Sequence, residues 1–308
     1  MYPIIEYFSK YVKSKFDTPI GKGVYLITRS TAIGQGISII SSPIITRLFS
    51  PSDFGVFALY SSIISILLVF ASLKYEYAIP LPKDDEDAFY LVVTCFIFIL
   101  AIFTCMAGIF LFFGTVILDA FKYNTIEPFL WLLLFSFLSA GLYQVFNYWA
   151  IREKDYRLIG NTIIGKNALA TSSKMLFGWI GTGAFGLIGG DFIGQITGNY
   201  SIFRKFWKKN SLKLKNISLE KIFRIAREYY RFPVFSLPSA FFNILAFQLP
   251  IFMLISVYGS NEAGLFSLAL NVLALPVSFL SSTISQVYLG EISTLIREDP
   301  KKIRHVYH

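Results

Sequence analysis

Apolar residues along this chain gather into eight long runs, roughly 24–46, 54–73, 88–113, 128–150, 159–179, 185–203, 233–257 and 264–289, separated by short polar segments. Each run is close to the ~20 residues that a helix, rising ~1.5 Å per residue, needs to cross a hydrocarbon core of about 30 Å. Runs such as Cys95-Phe-Ile-Phe-Ile-Leu-Ala-Ile-Phe103 are apolar throughout, whereas strands of a membrane barrel alternate polar with apolar positions. The pattern therefore predicts an all-α, polytopic transmembrane helical bundle of about eight spans. Residues 1–16 follow another rule. Tyr2, Ile4, Ile5, Phe8, Tyr11, Val12 and Phe16 are interleaved with lysines, which predicts a short amphipathic helix on the membrane surface within a segment 1–22. With Lys10, Lys13, Lys15 and Lys22 there and no small-residue cleavage site behind a short apolar core, the first span is expected to stay as an anchor.

Composition sharpens the same picture, since 55% of the 308 residues are hydrophobic and 15% are charged, against about one quarter charged in soluble domains. The net charge of +9 invites a nucleic-acid partner until the basic residues are sorted by segment. Of 28 Lys and Arg, 23 fall in the amino terminus and in segments 74–87, 151–158, 204–232 and 290–308, while the intervening segments hold Arg47 and Lys122. That asymmetry is a topology signal: it places both ends of the chain in the cytoplasm and predicts no nucleic-acid partner. Cys95 and Cys105 share one run, about 15 Å apart on a helix, too far for a disulfide. Both read as small packing residues.

An internal repeat organises the runs. Leu48-Phe-Ser-Pro-Ser-Asp53-Phe-Gly55-Val-Phe57-Ala-Leu59 resembles Val257-Tyr-Gly-Ser-Asn-Glu262-Ala-Gly264-Leu-Phe266-Ser-Leu268 at a constant offset of 209, with acid, glycine and phenylalanine coinciding. If the seventh run repeats the first, the unit is six helices, and two such units share one orientation about an axis along the membrane normal. The chain then divides into 1–22 as a surface segment, 23–203 as a six-helix lobe, 204–232 as a basic linker and 233–308 as the start of a second lobe. Four further helices are expected beyond it. The linker, with Lys205, Lys208, Lys209, Lys221, Arg224 and Arg227, reads as a solvated segment that fixes topology.

Four ionisable residues fall inside the runs: Arg29, Lys166, Lys174 and Asp191. A charge at membrane depth costs at least about 2.5 kcal/mol and by default marks a pathway or binding site. Simpler roles compete, because Arg29 can snorkel to the interface and Lys174 can pair with Asp191 across a helical hairpin. Asp191, Gln195, Gly198 and Asn199 form one polar stripe, and Lys166, Asn167, Ala170, Ser173 and Lys174 nearly form another. Arg29, Gly36 and Pro43 recur at seven-residue spacing on one face, and Asn243, Gln248, Asn271 and Gln286 add amides that can bond between helices. Catalysis finds no anchorage in this pattern. Both histidines, His305 and His308, are at the far end of the sequence, and no metal-spacing cluster, phosphate-cradling glycine loop or triad is present. Transport without a metal or cofactor is the expected class.

Several segments, taken together in order and spacing, identify a family resemblance: Ser42-Pro-Ile-Ile-Thr-Arg47 through Gly55, Lys74-Tyr-Glu76-Tyr-Ala-Ile-Pro-Leu-Pro-Lys83, Tyr148-Trp-Ala-Ile-Arg152, Tyr230-Arg231-Phe-Pro233 with Ser236-Leu-Pro238, and Leu275-Pro276 with Ile284-Ser-Gln286. They are similar to the bacterial oligosaccharide flippases of O-antigen, capsule and exopolysaccharide biosynthesis, in the superfamily that includes multidrug and toxin extrusion transporters. The resemblance runs from about residue 20 to 295. It implies a twelve-helix, two-lobed transporter of the bacterial inner membrane, of which this chain holds the first lobe and two more helices. It also implies a substrate, an oligosaccharide carried on undecaprenyl pyrophosphate, with membrane lipids and other polysaccharide-export proteins as partners. On that basis Arg29, Lys166 and Lys174 are candidates to contact the pyrophosphate, and Asp191 is the candidate for a coupling cation. A cation-coupled multidrug exporter is the alternative within transport, against which three basic residues and one acid in the spans argue. A membrane glycan polymerase or ligase is the alternative outside it; those present a large outer loop, and the longest here is about fourteen residues, 114–127.

Overall fold

The computed structural model describes residues 19–121, 123–211, 213 and 217–271, with the single positions 273, 285, 289, 292 and 293, and the regular structure among them is entirely helical. Eight helices follow in order: α1 Pro19–Leu48, α2 Pro51–Phe70, α3 Asp85–Phe121, α4 Leu130–Arg152, α5 Tyr156–Ile180, α6 Ala184–Asn210, α7 Leu219–Glu228 and α8 Leu237–Tyr258. Tight 3₁₀ turns occupy Tyr75–Ala78 and Asn124–Phe129, a π-turn occupies Phe232–Ser236, and residues 260–271 are again helical. The chain is an all-α bundle of the membrane type, as its periodicity predicts. Among the described residues, four stretches are both long and apolar enough to cross a bilayer: Pro51–Phe70, Asp85–Gly114, Thr125–Arg152 and Phe232–Tyr258. At 30, 25 and 27 residues α1, α5 and α6 have the length but less apolarity, because they carry the polar stripes. The amphipathic segment expected at 1–16 and most of the eighth run lie outside the described residues.

Local chemistry sets the helix ends. Ser50 and Asp53 form a reciprocal capping box with Pro51 in the first turn of α2. The Asp155 carboxylate accepts from the Leu158 N–H at 3.2 Å at the start of α5, and Gly181, at φ +78°, ends it in the left-handed region. The α5–α6 hairpin then closes tightly because Gly186, Gly190 and Gly194 recur every four residues. A Cβ at Gly190 would press on the Lys174 backbone and one at Gly194 on the Lys166 carbonyl. On its other flank α5 meets α1, where Gly34 accommodates Asn167 and Gly160 accommodates Ser30.

Between α3, α4 and α6 the core is aromatic: Phe206, 2% exposed, stacks or edges against Phe89, Phe96, Phe146 and Trp149, the last at 5.3 Å between centroids. At the same end the buried Arg152 guanidinium ties α4 to the segment that follows the 3₁₀ turn. It donates to the carbonyls of Ile79 at 3.3 Å, Pro82 at 2.7 Å and Asp84 at 3.3 Å, and to the Asp85 carboxylate at 2.9 Å.

The linker keeps most of its described side chains exposed, but part of it is also docked on the bundle. α7 docks on the start of α3, with Lys221 donating to Glu86 at 2.5 Å and Arg224 to Asp87 at 2.7 Å. Ile225 is fully buried, and the Tyr75 hydroxyl donates to the Ala226 carbonyl at 2.9 Å. The basic residues meet an acidic first turn of Asp85, Glu86 and Asp87, which also complements the α3 dipole.

The internal repeat is realised as a reciprocal contact. A Cβ on Gly55 would overlap the carbonyl oxygen of Ser260, and a Cβ on Gly264 would overlap that of Pro51. At the offset of 209, Gly264 is the counterpart of Gly55 and Ser260 that of Pro51, so the start of α2 and the start of the helix at 260–271 meet about a local two-fold axis. Ser52 and Ser260 hydroxyls lie 2.7 Å apart beside it. Deeper in, Ser62 donates to the Gln248 amide oxygen at 2.9 Å and the Phe70 and Phe241 rings lie 5.4 Å apart, so α8 runs along α2.

Candidate functional site

Two consecutive non-glycine residues, Leu73 at φ +50° and Lys74 at φ +66°, reverse the chain after α2. Left-handed backbone of this kind costs an L-residue roughly 1–2 kcal/mol and persists where the surroundings hold it. Here the reversal directs Lys74, which segment counting assigns to a solvated loop, into the protein interior, where it is 5% exposed.

Lys74 lines a cavity of about 790 Å³ between α2, α4, α5, α6 and the π-turn with α8. Lys166 enters from α5 and Gln195 from α6, while Tyr143, Gln144 and Asn147 come from α4 and Ser236, Ser239 and Asn243 from the other side. The π-turn contributes here: its extra residue per turn and Pro233 offset the start of α8, bringing Ser236 to the wall. None of the lining residues is acidic. The cavity follows the last turns of α2, Ser65 to Val69, whereas the reciprocal glycine contact lies at its first turn, roughly 20 Å away along the helix. The cavity thus lies toward the end of α2 that carries the linker, and the glycine contact toward the other end.

The four ionisable residues singled out from the runs separate into different environments. Lys166 lies 5.1 Å from the Tyr143 ring centroid and lines the cavity; among the described residues it makes no direct salt bridge, although the Asp191 carboxylate acts on it at longer range. Lys174 and Asp191 pair across the α5–α6 hairpin at 3.0 Å, with Lys174 also 4.7 Å from the Phe57 ring centroid and neither residue on the cavity wall. Gln195 connects the two regions by donating to Asp191 at 3.4 Å, while its own amide oxygen, buried, has no hydrogen-bond partner among the described residues. Arg29 is exposed on α1 and does not line the cavity; Gly36, on the same face, has open space beside it. Asn199 spans to α4, donating to the Ser139 carbonyl at 2.6 Å.

Behind Lys74 sits Glu76, 1% exposed, with Lys74 Nζ 3.5 Å from its Oε1 and the Ser72 hydroxyl donating to Oε2. Burial pushes the Glu76 carboxyl above the usual carboxylate range, against the opposing pull of Lys74 and Ser72. The wall therefore presents two ammonium groups, amides, hydroxyls and two tyrosine rings, with no carboxylate among its lining residues, and so suits an anionic and polar occupant. Lys74, Tyr77 and Tyr143 escape a reading confined to charges within runs. The available signal is the Lys74-Tyr-Glu76-Tyr segment, whose apolar neighbours on both sides are buried. Residues 44–308 match the sequence profile of a family described as polysaccharide biosynthesis protein. No curated protein and no solved structure matches the chain.

Proposed function

Because the chain belongs to the polysaccharide biosynthesis protein family, we propose that it moves an undecaprenyl-pyrophosphate-linked oligosaccharide across the bacterial inner membrane, as a flippase rather than an enzyme. The observation that carries this reading is the cavity: two ammonium groups, Lys74 and Lys166, and no carboxylate on its wall. A pyrophosphate there gains charge-assisted hydrogen bonds away from bulk water, and the amides and tyrosines suit the first sugars. About 790 Å³ is the size of a site for a small ligand, so the rest of the glycan and the lipid tail extend outside it. With the basic linker facing the cytoplasm, the cavity loads from that side while the Gly55–Gly264 contact closes the other. Separation of that contact, with rocking of the helices about the local two-fold axis, would release the head group outward. Lys166 is the residue assigned to pyrophosphate contact; Lys174 and Asp191 hold the α5–α6 hairpin, and Arg29 meets head groups at the interface.

Two measurements test this. In cells lacking the gene, lipid-linked repeat units should accumulate in the cytoplasmic leaflet; accumulation in the outer leaflet would replace transport by polymerisation or ligation. Lys166→Ala should lower export by about 10- to 100-fold at equal protein level, as expected for the loss of a charge-assisted contact. Lys208→Ala, which removes an exposed charge at the end of α6, should leave export unchanged. Equal effects of the two would remove Lys166 from the site.

A further inference from the structure

We propose that Glu76 takes up one proton whenever an anion occupies Lys74, so that substrate binding in the cavity is linked to protonation of a carboxyl group that the substrate never touches. The inference rests on the anion reading of the cavity given above. Its geometry is that of a shared cation. Lys74 lines the cavity and Glu76 does not, yet the two lie 3.5 Å apart, 5% and 1% exposed. One carboxylate oxygen accepts from the Ser72 hydroxyl, and the other has no hydrogen-bond partner among the described residues. Ionised Glu76 thus depends on Lys74 for its compensating charge.

Other groups around the carboxyl offer no substitute. From α3 it faces the buried Cys95 thiol, and from α4 the Tyr148 hydroxyl. Tyr75 and Tyr77 flank it on its own turn, and Phe232–Ser236, which also packs there, contains no titratable side chain. Among the described groups acting on it, Lys74 is the one cation. When a phosphate oxygen takes the ammonium, the carboxylate loses its attraction and gains a second negative charge nearby. A buried, unpaired carboxylate is far more costly than a neutral acid, so it binds a hydronium-derived proton from bulk solution and forms a carboxylic acid. Departure of the anion returns Lys74 to Glu76 and releases the proton.

Asp191 differs in keeping its directly paired cation, because Lys174 is off the cavity wall, while Lys166 on the wall acts on it only at longer range. The proton-linked group accordingly belongs to the turn after α2 rather than to α6. The sign follows directly: an occupant that favours protonated Glu76 binds more tightly as pH falls.

The test uses the purified full-length protein in lipid nanodiscs with inorganic pyrophosphate as probe. Infrared difference spectra, with and without pyrophosphate, should show the carbonyl band of a newly protonated carboxylic acid in the unmodified protein, a result that needs no variant. The band should be missing in Glu76→Gln, and in Lys74→Gln, where the acid is protonated beforehand. Over the neutral range, affinity of the unmodified protein should fall by up to about tenfold more per pH unit than that of Glu76→Gln. Comparing the two proteins cancels protonation of pyrophosphate itself. Absence of pyrophosphate binding would overturn the anion cavity and this inference together. Binding with no new carbonyl band, or with superimposable pH profiles, would overturn the proton link alone.

Discussion

Gly55→Ala is expected to abolish export while the rest of the bundle stays folded, and Gly264→Ala should reproduce the effect. At both positions an added methyl group would occupy the place of a backbone carbonyl oxygen on the facing helix, Ser260 in one case and Pro51 in the other. Side chains can yield to an added methyl by rotating; a helical carbonyl cannot, so the two helices must move apart. Overpacking of this kind costs about 1–3 kcal/mol. That is small beside the stability of the bundle but large enough to shift an equilibrium between two arrangements by roughly 5- to 150-fold. Because both substitutions open one contact, the double variant should be little worse than either single one, a departure from additivity typical of residues in direct contact. Gly36→Ala is the control, since nothing lies within 4 Å of its added carbon. A complementary experiment closes the contact instead. The Ser52 and Ser260 hydroxyls lie 2.7 Å apart, so Ser52→Cys with Ser260→Cys should form a disulfide in a background with Cys105→Ser, since Cys105 is exposed and Cys95 buried. The cross-linked protein should not export, and reduction should restore it. Full export by Gly55→Ala would show that this contact need not close during transport, and full export by the cross-linked pair that it never opens.

What could be read from sequence, and what could not, follows from how each feature is encoded. Helices appear as apolar runs because a membrane demands a near-continuous stretch, and the α2 and α8 spans fall where the runs place them. The partners in the glycine contact are legible because a repeat preserves spacing: the offset of 209 by itself makes Gly264 the counterpart of Gly55. Lys174 and Asp191 are legible as neighbours on a hairpin. Lys74 is not, since its position depends on two successive left-handed residues, Leu73 and Lys74, with no glycine to announce them. Hydropathy places it one residue past a run, where a solvated lysine is the ordinary outcome. Docking of α7 is hidden for another reason. Lys221 and Glu86 are 135 residues apart, and a basic segment that pairs with an acidic helix start has the same composition as one that pairs with water. The face that carries Arg29, Gly36 and Pro43 is regular in sequence, yet the fold turns it away from the cavity, because α1 uses Gly34 and Ser30 to approach α5. Periodicity finds faces, but tertiary packing decides which of them meets the site.

Arg152→Ala is expected to be strongly destabilising, by about 2–6 kcal/mol, because the buried carbonyls of Ile79 and Pro82 each lose their charged donor at a cost of about 1–3 kcal/mol. Its side chain is 2% exposed and satisfies three backbone carbonyls, of Ile79, Pro82 and Asp84, besides the Asp85 carboxylate. Those carbonyls belong to a segment held by no regular ladder, running from the 3₁₀ turn at Tyr75–Ala78 to the start of α3. Without the guanidinium the buried carbonyls of Ile79 and Pro82 are left without this donor. The same segment carries Lys74 and Glu76 at one end and receives α7 through Asp85, Glu86 and Asp87 at the other, so its release should loosen both the cavity wall and the linker. Arg152→Lys should recover only part of the loss, because an ammonium cannot reach four acceptors spread across a planar fork. The measurements are the midpoint of thermal unfolding in detergent and limited proteolysis between residues 75 and 87. A lowered midpoint with new cleavage in that segment is the expected outcome for alanine, and an intermediate one for lysine. An unchanged midpoint in Arg152→Ala would mean that the segment is held by its apolar contacts alone.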